Sequence, residues 1–286
     1  MGALGALSLA GVASRAANSA AASRTRLIVR GDDMSYAHAG NVAVIKTWRE
    51  GIQTTIDVIV AAPWFPEAAR MLAENPELDV GVHLALTSEW DNIKWRPLTR
   101  CPSLVDEDGY FWPMVVPHPA YPGRSISENK WRIEEIEQEL RAQIELCLRR
   151  IPRVSHATGH MGCFNLAPEV RALADRLVKE YNIDINLARF GVKRVRYAGP
   201  KGTLAEKTDS FIKMLDTLEP GSTYCFVEHP GLDTPEVRAI SHIGYENVAA
   251  DRQGVTDLWT SPRIKEEIER RGIELISYRD LKKDHA

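Results

Sequence analysis

The chain has 286 residues, 44% of them hydrophobic and 26% charged, with a net charge of −3. These are the proportions of an ordinary globular protein with a sizeable core. No basic excess provides a footprint for nucleic acid, and no run of like charge is long enough to be an interaction tail.

The first 25 residues are rich in Ala, Gly, Ser and Leu. Their apolar stretch, Ala3 to Ala13, is too short to span a bilayer. It resembles the h-region of an export signal, with small residues near 17–22 suited to cleavage, although a positively charged n-region is missing. Export is the expectation, with residues 26–286 as the mature domain and no membrane attachment. A flexible or helical extension on a cytoplasmic protein is the alternative.

Leu27 to Arg30 predicts a short buried strand that stops at Gly31. Asn41 to Arg49 carries Val42, Ile45 and Trp48 at helical spacing and ends at Gly51. "TTIDVIVAA" (54–62) is a second strand, broken by Pro63 and Pro66. "PEAARMLAENP" is a helix, and "LDVGVHLAL" (78–86) a third strand. This β-α-β-α-β rhythm is that of a parallel sheet with crossover helices.

Residues 87–127 hold Trp90, Trp95, Trp112, Tyr110 and several prolines, an irregular stretch longer than most loops. Ser127 to Arg149 predicts a long helix capped by Ser127, with an apolar stripe of Ile133, Ile136, Leu140, Ile144 and Leu148. "RVSHATGHMG" follows as a strand end or tight loop. Pro168 to Tyr181 is helical, "YCFVEHPG" a strand ending in a polar turn, and Pro262 to Arg271 helical. "IELISYRDL" closes the chain as a strand. The alternation predicts one α/β domain, a distorted TIM-type (β/α) barrel. The four cysteines, Cys101, Cys147, Cys163 and Cys225, form no CxxC pair and suit buried thiols better than a disulfide framework.

Asp32 and Asp33 follow the first strand, His83 lies in the third, and His156, His160, Glu228 and His229 stand at later strand ends. In parallel α/β folds these ends converge on one face. One carboxylate and two imidazoles suit a divalent metal with open positions. A second carboxylate then serves as general base and a separate histidine as acid, the parts that amide or ester hydrolysis needs. Each residue also has a plainer reading. An Asp pair after a strand is a common helix cap, a lone strand histidine is a common hydrogen-bonded core residue, and "HPG" is a turn signal.

"LIVRGDDMSYAHAGN", "LDVGVHLALTSEW", "ELRAQIE", "VSHATGHMG" and "VEHPG" occur in that order. In this the chain resembles the YdjC-like family of carbohydrate deacetylases, which includes chitooligosaccharide deacetylases, over roughly residues 26–281. The resemblance implies a distorted (β/α) barrel and metal-dependent removal of acetyl groups from N-acetylated sugars. It implies Asp33, His83 and His160 as metal ligands, Asp32 as general base and His229 as acid or transition-state stabiliser. Four positions depart from the family pattern. Arg30 and Gly31 precede the aspartates, Ser35 replaces a glycine, and Thr158 stands where an Asp is usual.

Trp90 and Trp95 offer faces on which sugar rings could stack, with Arg30 and His156 as further substrate contacts; the alternative is that the tryptophans fill the outer core. The expected cofactor is one divalent ion, zinc or magnesium first, with manganese, iron and nickel also compatible. The expected partner is a small carbohydrate, and a homodimer is the base-rate assembly. Two rival readings remain: a carbohydrate-binding protein with a degenerate site, and another metal hydrolase such as a phosphoesterase.

Overall fold

The computed structural model describes residues 24–283. The export-like segment lies outside these residues, apart from its last two positions. Among the described residues seven strands form one parallel sheet: β1 (Arg26–Met34), β2 (Thr55–Val58), β3 (Asp79–Leu84), β4 (His156–Gly159), β5 (Lys193–Val195), β6 (Thr223–Glu228) and β7 (Glu274–Leu275). The order is β4-β3-β2-β1-β6-β5. β7 pairs with the start of β1 at Arg26 and Leu27, and β2 pairs with β1 from Arg30 onward.

The helices are α1 (His38–Glu50), α2 (Phe65–Ala73), α3 (Ile133–Arg150), α4 (Pro168–Glu180), α5 (Leu204–Asp216), α6 (Pro235–Arg238), α7 (Val248–Thr260), α8 (Pro262–Arg270) and α9 (Tyr278–Lys283). Every residue of β2 and β3 is buried, as expected for strands covered on both faces. That burial explains their near-continuous apolar runs. Each buried Val, Ile or Leu contributes about 1.5–3 kcal/mol. Ile56, Val58, Val80, Val82 and Leu84 pack into one cluster with Ile136, Leu140 and Ile144 of α3.

The sequence predicts a distorted TIM-type barrel; among the described residues its strands do not close into a ring. β4 and β5 are the edges of an open, curled sheet, so the α/β architecture is a half-barrel. The reason lies in the connections. β5 and β7 have only three and two residues. Residues 85–132 supply isolated bridges and short 3₁₀ turns rather than strands. Two elements start or end elsewhere than expected. Ser127 sits in a 3₁₀ turn and α3 begins at Ile133, while "IELISYRDL" gives a two-residue strand followed by α9. Helix α5 starts at a capping box of Thr203 and Glu206 that the sequence analysis passed over.

All four cysteines are free and buried. Burial pushes the thiols up, to about 11 at Cys225 and about 12 at Cys101 and Cys163. Among the described residues, no helix is long and apolar enough to cross a membrane.

Candidate active site

Strand alternation should send Asp32 and Asp33 to opposite faces of β1. A bulge prevents this. The register steps from Gly31↔Ile56 to Met34↔Val58, so β1 carries one residue more than β2 over this stretch. Asp33 absorbs the kink at φ 66°, a left-handed conformation that costs a non-glycine residue about 1–3 kcal/mol. Both carboxylates thereby reach one imidazole. His83 Nε2 lies 3.5 Å from Asp33 Oδ1 and 3.9 Å from Asp32 Oδ2.

His160 enters from the end of β4. The chain reverses there through Met161 (φ 49°) and Gly162 (φ 69°). Its Nδ1 lies 3.2 Å from Asp33 Oδ1, and its Nε2 lies 2.9 Å from Glu89 Oε2. Asp33, His83 and His160 each present one ligand atom within 4.8 Å of the others, and all three residues are buried. Asp33 Oδ1 is buried and has no hydrogen-bond partner. A buried carboxylate oxygen facing two imidazole nitrogens fits a divalent cation. Burial lowers the His160 pKa, but Glu89 and Asp33 outweigh it and hold the ring at about 10.

A second group, Asp32, Asp57 and His83, is equally compact. Here the chain supplies its own cation. Arg30 donates from Nε to Asp32 Oδ1 at 2.7 Å and from Nη2 to Asp32 Oδ2 at 2.9 Å. Its Nε also lies 3.4 Å from Asp57 Oδ2, and its Nη1 donates to Tyr278 Oη at 2.7 Å.

Asp33 is held from its other side. Arg252 of α7 donates from Nη2 to Asp33 Oδ2 at 2.9 Å, with its guanidinium 4.3 Å from the Tyr36 ring and 5.1 Å from the Trp90 ring. His229 Nε2 is 3.7 Å from the same oxygen. The His229 side chain is 38% exposed, so the ring joins the buried cluster to solvent. Burial lowers the His229 pKa, but Asp33 and Glu228 raise it further, and the net direction is upward. Burial raises Glu228, but His229 and Lys201 outweigh it and hold its carboxyl at about 2.

The structure thus gathers Asp32, Asp33, His83, His160 and His229. The four nominated substrate contacts are buried in the interior around this group. Trp90 and Trp95 are 2% and 3% exposed, and Trp95 donates from Nε1 to Thr87 O, so neither offers an open face to a sugar. Arg30 is buried on Asp32. His156 is fully buried, 2.8 Å from Asp57 and stacked on Tyr278 at 3.5 Å. These four side chains support the site from behind. The most exposed tryptophan is Trp64, at 37%, whose backbone N–H bonds the carbonyl of Ser35, two residues beyond Asp33.

Sequence reasoning missed Asp57, Glu89, Arg252 and Tyr278. Asp57 did leave a signal, as the one charge inside "TTIDVIVAA". Arg252 left none, since it sits in an unassigned helix among other polar residues.

The sequence model for YdjC-like proteins matches residues 26–270. The chain belongs to the YdjC-like family. Among curated relatives, a carbohydrate deacetylase of Enterococcus faecalis is 28% identical over 277 residues, covering 91% of this chain and 99% of the relative. A carbohydrate deacetylase of Thermus thermophilus is 32% identical over 238 residues, covering 76% and 81%. A solved structure from Enterococcus faecalis, named for cellobiose-phosphate cleavage, superposes with a TM-score of 0.73 at 25% identity and covers 91% and 99% of the two chains.

Within the YdjC-like frame, the departures at Ser35, Arg30 and Thr158 have physical counterparts. Ser35 sits at φ 88°, where glycine would be unstrained, and is held by its N–H to Asn41 Oδ1 (2.8 Å) and its hydroxyl to Ile59 O. Arg30 clamps both oxygens of Asp32. Thr158 touches both His83 and Asp57.

Proposed function

We propose that this YdjC-like chain is a hydrolase that removes acetyl groups from N-acetylated carbohydrates, chitooligosaccharides among them, with a divalent metal held by Asp33, His83 and His160. The observation that carries this reading is Asp33 Oδ1, buried without a donor between two imidazoles, with a second carboxylate beside it. The curated relatives named carbohydrate deacetylase support the substrate class.

A metal in that position supplies Lewis acidity, polarising a carbonyl oxygen and lowering the pKa of water. The chain supplies the rest. Asp32, fixed on both oxygens by Arg30, accepts the proton of the attacking water. His229, partly open to solvent and with its pKa raised by Asp33 and Glu228 against its burial, donates a proton to the departing amine. Glu89 and Arg252 keep His160 and Asp33 in place. Trp64 provides the exposed aromatic face that a neighbouring sugar ring would stack on.

The test is acetate release from a panel of N-acetylated mono- and oligosaccharides, before chelation, after chelation and after metal is restored. Release that chelation stops and zinc restores is expected. Phosphoester cleavage without acetate release would move the chain to another hydrolase class. Sugar binding without turnover would make it a binding protein.

A further inference from the structure

The side chains beneath His83 form a chain of hydrogen bonds whose direction can be worked out. Thr158 lies opposite His83 in the β3–β4 register. Its Oγ1 is 2.7 Å from His83 Nδ1 and donates to Asp57 Oδ2. The other oxygen of Asp57 faces His156 Nε2 at 2.8 Å, and Ser155 Oγ lies 2.7 Å from His156 Nδ1. Asp57 is fully buried, with the Arg30 guanidinium 3.4 Å from the oxygen that Thr158 contacts.

A hydroxyl has one proton to give. Asp57, a carboxylate beside a guanidinium, only accepts. The Thr158 proton therefore points to Asp57, and Thr158 Oγ1 can only accept from the imidazole. His83 must then carry its hydrogen on Nδ1, which leaves the lone pair on Nε2. Nε2 is the nitrogen 3.5 Å from Asp33 Oδ1.

We infer that Thr158 and Asp57 together are positioning residues that lock His83 in its Nδ1–H tautomer and aim Nε2 at the candidate metal position. A carboxylate acting on a ligand histidine usually bonds it directly. In this chain a hydroxyl stands between them. Thr158 thus brings the charge of Asp57, on the next strand but one, to bear on His83. The departure at Thr158 is then no sign of a lost site. The consequence for metal affinity rests on the proposed ligand set; the tautomer itself does not.

The experiment is a two-bond ¹H–¹⁵N correlation spectrum of histidine-labelled protein, metal-free at a pH where the His83 ring is neutral, with the signal assigned by its loss in His83→Asn. The native protein and Thr158→Ser should show His83 protonated on Nδ1. Thr158→Val, which keeps the shape and removes the hydroxyl, should lose that preference. Its zinc Kd should rise about 10- to 100-fold, the usual effect of losing such a partner. A native spectrum with the hydrogen on Nε2 would overturn the inference even if the variants failed to fold. So would a Thr158→Val protein with an unchanged spectrum and an unchanged zinc Kd. If the tautomer is as stated but zinc does not bind the native protein, the positioning role stands and the metal reading falls.

Discussion

Gly81 lies on β3 two residues before His83, against the pair formed by Asp57 and His156. A Cβ at Gly81 would sit 2.3 Å from Asp57 Oδ1 and 2.4 Å from His156 Nε2. Those two atoms are 2.8 Å apart and bonded to each other, in side chains with no solvent exposure. The methyl of Gly81→Ala would therefore wedge into a buried hydrogen bond, and both partners must move to reach ordinary contact distance. Losing a hydrogen bond to a charged group costs about 1.5–3 kcal/mol. Overpacking a filled interior adds about 1–3 kcal/mol. The smaller unfolded-state entropy of alanine returns about 0.4–1 kcal/mol. The net destabilisation should be about 3 kcal/mol, and at about 2–4 °C per kcal/mol for a chain of this size the melting temperature should fall by about 6–12 °C. Scanning calorimetry on the metal-free native and variant proteins measures it. A variant melting within about 2 °C of the native protein would show that the Asp57–His156 contact does not constrain the base of the site.

Arg252→Met should weaken zinc binding about tenfold or more, because Asp33 loses the donor that fixes Oδ2. Tighter binding in that variant would mean that Arg252 acts only as an opposing charge. Metal binding at pH 7 should release about one proton, since His160 is held at about 10 by Glu89 and Asp33 despite its burial. Calorimetry in buffers of different ionisation enthalpy reads the release, and its absence would contradict the ligand role of His160. The same raised value gives the metal-free protein a stabilising contribution that is complete below about pH 6.5, the ordinary histidine value, and is lost as the pH rises through about 10. Trp64→Ala should raise KM for N-acetylated oligosaccharides several-fold and leave kcat unchanged; equal KM values for mono- and oligosaccharides in both proteins would remove Trp64 from the substrate path.

The parts of this fold that were legible in the sequence are those set by local pattern. β1, β2 and β3 are strands buried on both faces, so their apolar runs showed them, and Gly51 marked the end of α1. That the polar residues of β1, β3, β4 and β6 would meet followed from a rule of topology, that the ends of parallel strands converge; the choice of Asp33, His83 and His160 among them came from the resemblance to the YdjC-like family. What stayed hidden depends on geometry that no local pattern encodes. The bulge at Asp33 is a register shift between two strands. Asp57 acts on His83 through a residue of β4, and Arg252 reaches Asp33 from a helix more than two hundred residues later. Trp90 and Trp95 left two readings open because a tryptophan suits a core as well as a sugar platform, and only the packing of residues 85–132 decides between them. How far the distorted barrel opens stayed hidden for a related reason, since β5 and β7 are too short to have a periodicity.

The most direct test of the central claim is metal content by elemental analysis of native protein beside Asp33→Asn, both dialysed against the same dilute zinc. The account predicts about one zinc per native chain and a small fraction of that in the variant, with both proteins folded. Asp33→Asn holding zinc at the native level would contradict it, because the buried oxygen on which the site is built would then not be a ligand.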